Sequence, residues 1–279
     1  MFYRQSCNIK KKRGTGVLGV RLSISLLHTL RATIALCALA SAGERARAEQ
    51  KVGSTAAVIN DVTSELSGAV SPLKPGDAVF RNEGVRTATA SKAKLRFLDS
   101  TNLVIGPGSE TRLDEFVYSG PTEAPSAQKM QVSLTRGVFR FTTGTLDKKA
   151  YLISTPVSSV AVQGTVLDFD VGSGLTRVTL VEGRTLVCPR RPGVTFEQQQ
   201  RACAKAPGGR PAPGCDCVEL NDPGQTADVT TAGGSTQANL SSTAVDSASL
   251  CASASLCAVQ RYASVAPARG FPRGALCGH

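Results

Sequence analysis

The chain has 279 residues, of which 5% are aromatic, and a formal net charge of +11. That charge would suit a nucleic-acid-binding protein, but nine Lys and Arg residues lie in residues 1–48, together with one acid, Glu44. The remaining chain carries 23 basic and 20 acidic residues, a net charge of +3. Aromatic side chains that could stack on bases are also scarce, so the composition argues against a nucleic-acid partner.

Residues 1–48 have the three-part order of a secretory signal peptide. A basic opening is followed by an apolar run, 32–43, and then by Ala46-Arg47-Ala48 and Glu49. An uncharged run of 12 residues is shorter than the roughly 20 that cross a bilayer. We therefore expect cleavage before Glu49, with Ala42 as a second option, and a mature protein in the periplasm or outside the cell.

After the signal peptide the chain predicts an all-β fold. The stretch Val52–Val70 is poor in helix formers and favours strands. From Gly76 onward, short alternating apolar runs are separated by turn sequences, which is typical of a sandwich, barrel or solenoid. These turns include Asn82–Gly84, Asp99–Asn102, Pro107-Gly108, Gly172–Gly174 and Glu182-Gly183.

The stretch Tyr151–Val171 reads as two strands with period-two alternation. Gly164 interrupts it, which indicates a bulge or a close backbone approach rather than a strand end. A Cβ there is expected to clash, so that Gly164→Val destabilises the protein. Asp168 and Asp170 alternate with apolar residues, and we expect both to be solvated on the outer face.

The pattern S-T-P-V-x-x-V-A-V-x-G-T-x-x-D-F over residues 154–169 resembles the core signature of FecR-type domains. These are β-rich extracytoplasmic modules named for the regulator of ferric citrate uptake. Further matching motifs extend the resemblance over roughly Val52–Ala232, although Gln163 stands where many members carry Arg. The signature positions are Thr155, Pro156, Val157, Val162, Gly164, Thr165 and Phe169.

The resemblance implies an all-β stack of short strands, solenoid-like or sandwich-like, with no cofactor. Residues 49–236 are expected to form the FecR-like β domain, interrupted by an insertion loop at 188–217. Residues 237–279 are rich in Ser, Ala and Thr, a composition that buries little, so this tail is expected to be flexible or loosely docked.

Seven cysteines follow the signal peptide, and an exported protein is expected to oxidise them. Cys215 and Cys217 are too close in sequence to bond each other without strain. Each should therefore bond Cys188 or Cys203. We favour Cys188–Cys217 with Cys203–Cys215, and keep Cys188–Cys215 with Cys203–Cys217 as the alternative.

A zinc site formed by the same four cysteines is disfavoured, because the usual paired spacing is missing and the compartment oxidises thiols. No metal is therefore expected. Since seven is odd, one thiol remains free or pairs between chains.

The insertion loop is basic and could present cations to an anionic partner. A merely solubilising loop is the other interpretation. Its basic residues are Arg190, Arg191, Arg201, Lys205 and Arg210.

Catalysis is not expected, because His279 is the only histidine after residue 48 and would be a poor base at a chain end. We expect an exported, non-enzymatic binding module of the cell envelope, with a role in signal sensing. The resemblance implies that its partner is an outer-membrane receptor, an envelope protein or a cell-wall glycan, and we expect contacts through strand edges and the insertion loop.

The alternative function is a transmembrane regulator of the ferric citrate type that controls a sigma factor. Only 31 residues precede the apolar run. That is too few for a cytoplasmic domain, so this alternative is disfavoured.

Overall fold

The computed structural model describes residues 49–118, 128–204, 215–232, 234–248, 250–251 and 254–257. The predicted signal peptide, Lys205, Arg210, Cys277 and His279 lie outside the described residues.

Seventeen strands form one continuous hydrogen-bonded sheet. The first nine are β1 (Lys51–Ile59), β2 (Val62–Leu66), β3 (Ala69–Pro72), β4 (Ala78–Phe80), β5 (Gly84–Thr87), β6 (Lys92–Phe97), β7 (Asn102–Ile105), β8 (Glu110–Val117) and β9 (Lys129–Thr142). The others are β10 (Tyr151–Ser154), β11 (Ser158–Val162), β12 (Val166–Val171), β13 (Leu175–Glu182), β14 (Thr185–Pro189), β15 (Val218–Leu220), β16 (Thr226–Ala232) and β17 (Ser235–Ser241). The all-β prediction is confirmed, and β17 continues across residue 236, where the β domain was expected to end.

The strands lie in two layers that share β9. Layer A has the order β4-β1-β6-β7-β9-β12-β13-β16-β17. Layer B has the order β3-β2-β5-β8-β9-β10-β11-β14-β15. Only the β9–β10 pair is parallel, so the sheet is mixed.

The chain crosses repeatedly between the layers, and most crossings contain a residue in the left-handed region. Asn60, Asn82, Gly164 and Gly183 lie at four of these crossings, with φ of 57°, 65°, 71° and 93°. Gly and Asn tolerate that region best. This explains why turn sequences recur at such short intervals.

One apolar cluster draws side chains from both layers and forms the core. Its largest fully buried members are Phe116, Phe139, Phe141 and Phe169. Alternation along the strands directs these rings inward.

The structure corrects the prediction for Gly164, both in its position between strands and in the expected clash. It lies where β11 of layer B gives way to β12 of layer A, so it does end a strand. A Cβ on Gly164 would approach only Lys148 Cε, at 3.7 Å, so the expected clash is absent and the constraint is its positive φ. The close approach occurs at Gly183, where a Cβ would collide with the Gly164 carbonyl oxygen and with Thr165.

Asp168 is not solvated on the outer face, although Asp170 is exposed. Asp168 is 2% exposed and accepts two hydrogen bonds from Arg140, Nε to Oδ1 and Nη2 to Oδ2, each of 2.7 Å. A buried carboxylate needs such a partner. The expectation was wrong because the chain covers this face with a distant segment.

That segment belongs to the tail. Leu250 and Leu256 are 0% and 1% exposed and pack against Val104 of β7 in a second apolar cluster. The tail thus docks on layer A through these residues. It does so with two leucines although its overall composition is polar.

Two helices complete the described structure. Helix α1 (Phe196–Ala202) lies in the predicted insertion loop, and α2 (Ala254–Cys257) lies in the tail. Thr195 and Gln198 form a reciprocal capping box at the start of α1. This pattern is a helix-start signal that the loop interpretation overlooked. Among the described residues, no helix has the length and apolar character needed to cross a membrane.

The two neighbouring glycines should respond differently to alanine. Gly164→Ala should cost about 1 kcal/mol, because only its left-handed φ is strained. Gly183→Ala should cost about 3 kcal/mol, because the backbone clash is added to a similar strain. Denaturant unfolding of both variants measures the difference, and equal costs would refute the assignment of the close approach to Gly183.

Asp168→Asn should destabilise the protein by about 3 kcal/mol, because it leaves the Arg140 guanidinium without its counter-charge. Asp228→Asn is the matched control. The Arg177–Asp228 pair has the same two-bond geometry, but its side chains are 21% and 23% exposed, against 15% and 3% for Arg140 and Asp168. The control should lose about 1 kcal/mol. Similar unfolding midpoints for the two variants would contradict the role of burial.

Candidate functional site

The signature residues of the sequence mostly build the fold. Val162 and Phe169 are fully buried, and Thr155 and Thr165 are each 2% exposed. Thr155 also accepts hydrogen bonds from the Ser158 backbone and from the Thr176 hydroxyl. Only Pro156 and Gly164 of the signature are exposed, and both lie in turns. Side chains that could meet a ligand must therefore come from elsewhere.

The insertion is a long hairpin closed by two disulfides. Cys188 bonds Cys217, and Cys203 bonds Cys215, which is the favoured pairing of the two considered. Because β14 and β15 are antiparallel neighbours, the first bridge joins the two strands at the base of the loop. We call the segment from Arg190 to Asp216, which contains α1, the flap.

Helix α1 is fastened to the strand that leads into it. Gln199 is 5% exposed, and its Nε2 donates to the carbonyl oxygen of Pro189 at 2.7 Å. Cys203 at the end of the helix is held by its bridge to Cys215. The flap helix is therefore held at its middle and at its C-terminal end, which gives the surface beside it a defined shape.

The basic residues of the flap have different roles. Arg190 donates to the carbonyl oxygen of Thr155 at 3.1 Å. Arg191 pairs with Asp216 at 2.6 Å. Both of these side chains hold the flap in place. Arg201 is exposed in the last turn of α1, and Lys205 and Arg210 lie outside the described residues.

A groove of about 210 Å³ lies between α1 and the outer face of layer B. Lysine and glutamine side chains dominate its polar lining. They are Lys129, Lys148, Lys149, Gln128, Gln163 and Gln200. Glu197 is the one acid in the lining, and Phe196 and Leu152 supply apolar surface. We call this the basic groove.

The charges in the basic groove are not equally available. Lys129 pairs with Glu115 at 2.7 Å. The pKa of Glu197 is lowered, first by hydrogen bonds from its own backbone N–H and from Thr195, and then by Lys129 and Arg201. Glu197 is therefore ionised at neutral pH. Lys148 and Lys149 are exposed and form no ion pair within the described part of the chain.

The two exposed lysines lie on a turn with a fixed conformation. The backbone N–H of Asp147 donates to Gln128 Oε1 at 2.9 Å, and the Asp147 carboxylate accepts from the backbone of Lys149. Behind the turn, the Tyr151 hydroxyl donates to the buried Asp99 at 2.8 Å and accepts from the Leu146 backbone. Burial, with the nearby Asp99 charge, raises the pKa of Tyr151, so this hydroxyl remains a donor.

Together these features form a neutral-to-cationic recess that can accept an anionic group. Two ammonium groups and the amide side chains of Gln163 and Gln200 can donate to carboxylate or hydroxyl oxygens. Gln163 places an amide where the resemblance leads one to expect an arginine. The volume is below the roughly 300 Å³ of a drug-sized pocket, so the groove suits one group of a larger ligand.

The sequence predicts the flap but contains no local signal that marks Lys148 and Lys149 as part of a binding groove. Lys148-Lys149-Ala150-Tyr151 runs into the signature strand, and two adjacent lysines in a turn carry no periodic signal. The three glutamines gave no signal either, because they come together from three separate segments.

The sulfur atoms of Cys203, Cys215 and Cys217 lie within 4.8 Å of one another, a distance that would allow them to share a metal ion. All three are oxidised in the two bridges. Zinc binds thiolates, so the bridged sulfurs do not fit a resident metal.

The comparisons with known proteins identify one domain. Residues 83–185 match a family model described as FecR protein. No curated protein matches the chain. The solved structures that match include two crystal structures of a protein from Parabacteroides distasonis, described as a candidate anti-sigma factor.

Those two structures share 13% and 12% sequence identity with this chain, with TM-scores of 0.36 and 0.37. Each alignment covers 56% of this chain and 59% of the solved chain, so this chain spans under two thirds of their length. Scores this low support no inference about fold or function.

Proposed function

Because the chain carries a FecR domain at residues 83–185, we propose that it is an exported binding module of the cell envelope, with a role in signal sensing. We further propose that its basic groove binds the carboxylate groups of a cell-wall glycan. The observation that carries the proposal is the groove itself, a recess with exposed ammonium groups and amide donors beside a disulfide-fixed helix.

The lining favours a glycan carboxylate over a simple polyanion. Lys148 and Lys149 offer charge, while Gln163 and Gln200 offer the directional bonds that sugar hydroxyl and amide groups require. Phe196 adds an apolar surface against which a sugar ring can pack. A groove of about 210 Å³ accommodates a single residue of a long polymer, which matches a cell-wall strand.

Two buried acids of the β domain, Asp168 and Asp99, have structural partners. Asp168 is held by Arg140 through two bonds. Asp99 accepts from the Thr101 and Tyr151 hydroxyls. Both carboxylates are committed to structural contacts.

Three disulfides in the described chain support the exported location. Such bridges persist in oxidising compartments and are rare in the cytosol. This agrees with the signal peptide expected from residues 1–48.

The location is tested by sequencing the N-terminus of the protein recovered from a periplasmic extract. We expect it to begin at Glu49, because the apolar run before it is too short to remain as an anchor. Recovery of a chain with Met1 in the membrane fraction would contradict export.

The ligand is tested by co-sedimentation of the oxidised protein with purified peptidoglycan. Lys148→Glu and Lys149→Glu should each weaken binding roughly tenfold, about 1.4 kcal/mol, because each removes a charge-assisted hydrogen bond and adds a repulsive charge. Binding should also weaken as salt is raised. The unaltered protein should bind peptidoglycan with amidated carboxylates no better than the variants bind untreated peptidoglycan.

Lys74→Glu is the control, since it makes the same charge change at an exposed lysine that does not line the groove. Binding of Lys74→Glu should match that of the unaltered protein. Equal losses of binding in all three variants would show that overall charge, and not the groove, determines the affinity for peptidoglycan. If the unaltered protein does not co-sediment with peptidoglycan but crosslinks to an envelope protein in cells, the proposed glycan ligand is wrong.

A further inference from the structure

The C-terminal hook is a second disulfide-closed element, independent of the basic groove. We define it as Leu250, Cys251 and helix α2, closed by the Cys251–Cys257 bridge. It lies on the outer face of layer A, on the opposite side of the sheet from the core side chains. Neither the FecR domain match at residues 83–185 nor the proposed glycan binding involves it.

The hook occupies a prepared position on that face. A Cβ on Gly106 would lie 2.7 Å from Leu250 Cδ2 and from the Val138 carbonyl oxygen, so the glycine leaves room for the leucine. Ala57, Ile59 and Val138 border the same apolar cluster. The Ser247 carbonyl accepts from the backbones of Leu250 and Cys251, which turns the chain onto the sheet.

The bridge of the hook touches a buried cation. Arg140 Nη1 donates to Cys251 Sγ at 3.0 Å, while Nε and Nη2 of the same guanidinium hold Asp168. A neighbouring guanidinium stabilises a thiolate, and a stabilised thiolate is a better leaving group in disulfide exchange. Cys251 is therefore the sulfur that leaves when a nucleophile attacks Cys257.

The flap bridges have a different environment. Cys188 is 0% exposed, and Cys217 Sγ lies 3.9 Å from Asp216 Oδ1, a carboxylate oxygen. Cys251 and Cys257 are each partly exposed. A reductant thus meets an accessible, cation-assisted bridge in the hook and a shielded one at the base of the flap. Cys203 and Cys215 of the second flap bridge are also partly exposed, but Cys215 Sγ contacts the Cys217 carbonyl oxygen, at 3.8 Å, rather than a cation.

We propose that Cys251–Cys257 is a thiol–disulfide exchange site for a dithiol reductant, and that reduction releases the hook from layer A. The reductant thiolate bonds to Cys257 Sγ, the Cys251–Cys257 bond breaks, and its electron pair remains on Cys251 as a thiolate beside Arg140. The second thiol of the reductant then displaces Cys257 and passes its proton to it. The reductant leaves as a disulfide, and the hook has gained two electrons and one proton.

Release would uncover a mixed surface. Val104, Val138 and Ile59 would become exposed beside the Arg140–Asp168 pair. The reduced protein would therefore present an apolar surface that the oxidised protein hides.

The first experiment uses the full exported chain with Cys277→Ser, which leaves the six bridged cysteines. The oxidised protein is titrated with dithiothreitol, quenched with an alkylating reagent and mapped by mass spectrometry. Cys251 and Cys257 should become alkylated at a reductant concentration at least roughly tenfold lower than the four flap cysteines. Simultaneous reduction of all bridges, or reduction of the flap first, would overturn the proposal.

The role of Arg140 is tested by the rate at which the hook bridge is reduced. Arg140→Gln should slow it roughly tenfold, because the leaving thiolate loses its cation. Arg177→Gln is the matched control, since its guanidinium holds Asp228 with the same geometry. An unchanged rate in Arg140→Gln would overturn the assignment of Cys251 as the leaving sulfur.

Arg140→Gln could also loosen the sheet, so hook release is measured independently in the protein with native Arg140. Hydrogen exchange around Val104 in β7 and around Val138 in β9 should rise when the hook alone is reduced. It should be equally high in Cys251→Ser/Cys257→Ser without reductant. Protection that persists in both samples would refute release.

Discussion

The fold depends on a single strand that serves two layers at once. Residues 129–136 of β9 pair with β8 and β10 in layer B, and the rest of the strand pairs with β7 and β12 in layer A. The strand turns at Gly137, where φ is 103° and a Cβ would collide with Ser109. A side chain at this position would oppose the change of layer, so both layers and the core between them depend on the missing Cβ.

The FecR signature describes how this architecture is built. Its buried residues set the corner between β11 and β12, and Gly183 admits the Gly164 carbonyl at that corner. Many of the side chains that line the proposed basic groove lie on the Asp147–Ala150 turn and on the flap. A domain match based on the signature therefore reports the fold reliably and leaves the choice of ligand to residues outside it.

The sequence predicted those features whose signal is local. Alternation gave the strands, and Gly and Asn marked the layer crossings. The disulfide pairing followed from treating β14 and β15 as neighbours. Asp168 was misplaced because alternation only separates two faces, and here a segment about 80 residues away covers the second face. The groove lysines were missed for a similar reason, since their relation to α1 depends on contacts between distant segments.

The position of the flap within the sheet separates the proposed binding surface from the core. Both of its bridges close loops between β14 and β15, and β15 is the last strand of layer B. None of the described residues of the flap belongs to the main apolar core, so their chemistry can change without repacking it. Relatives with this hairpin could thus diverge in what they recognise while keeping the same two-layer body, with the sheet edge acting as the exchangeable part of the molecule.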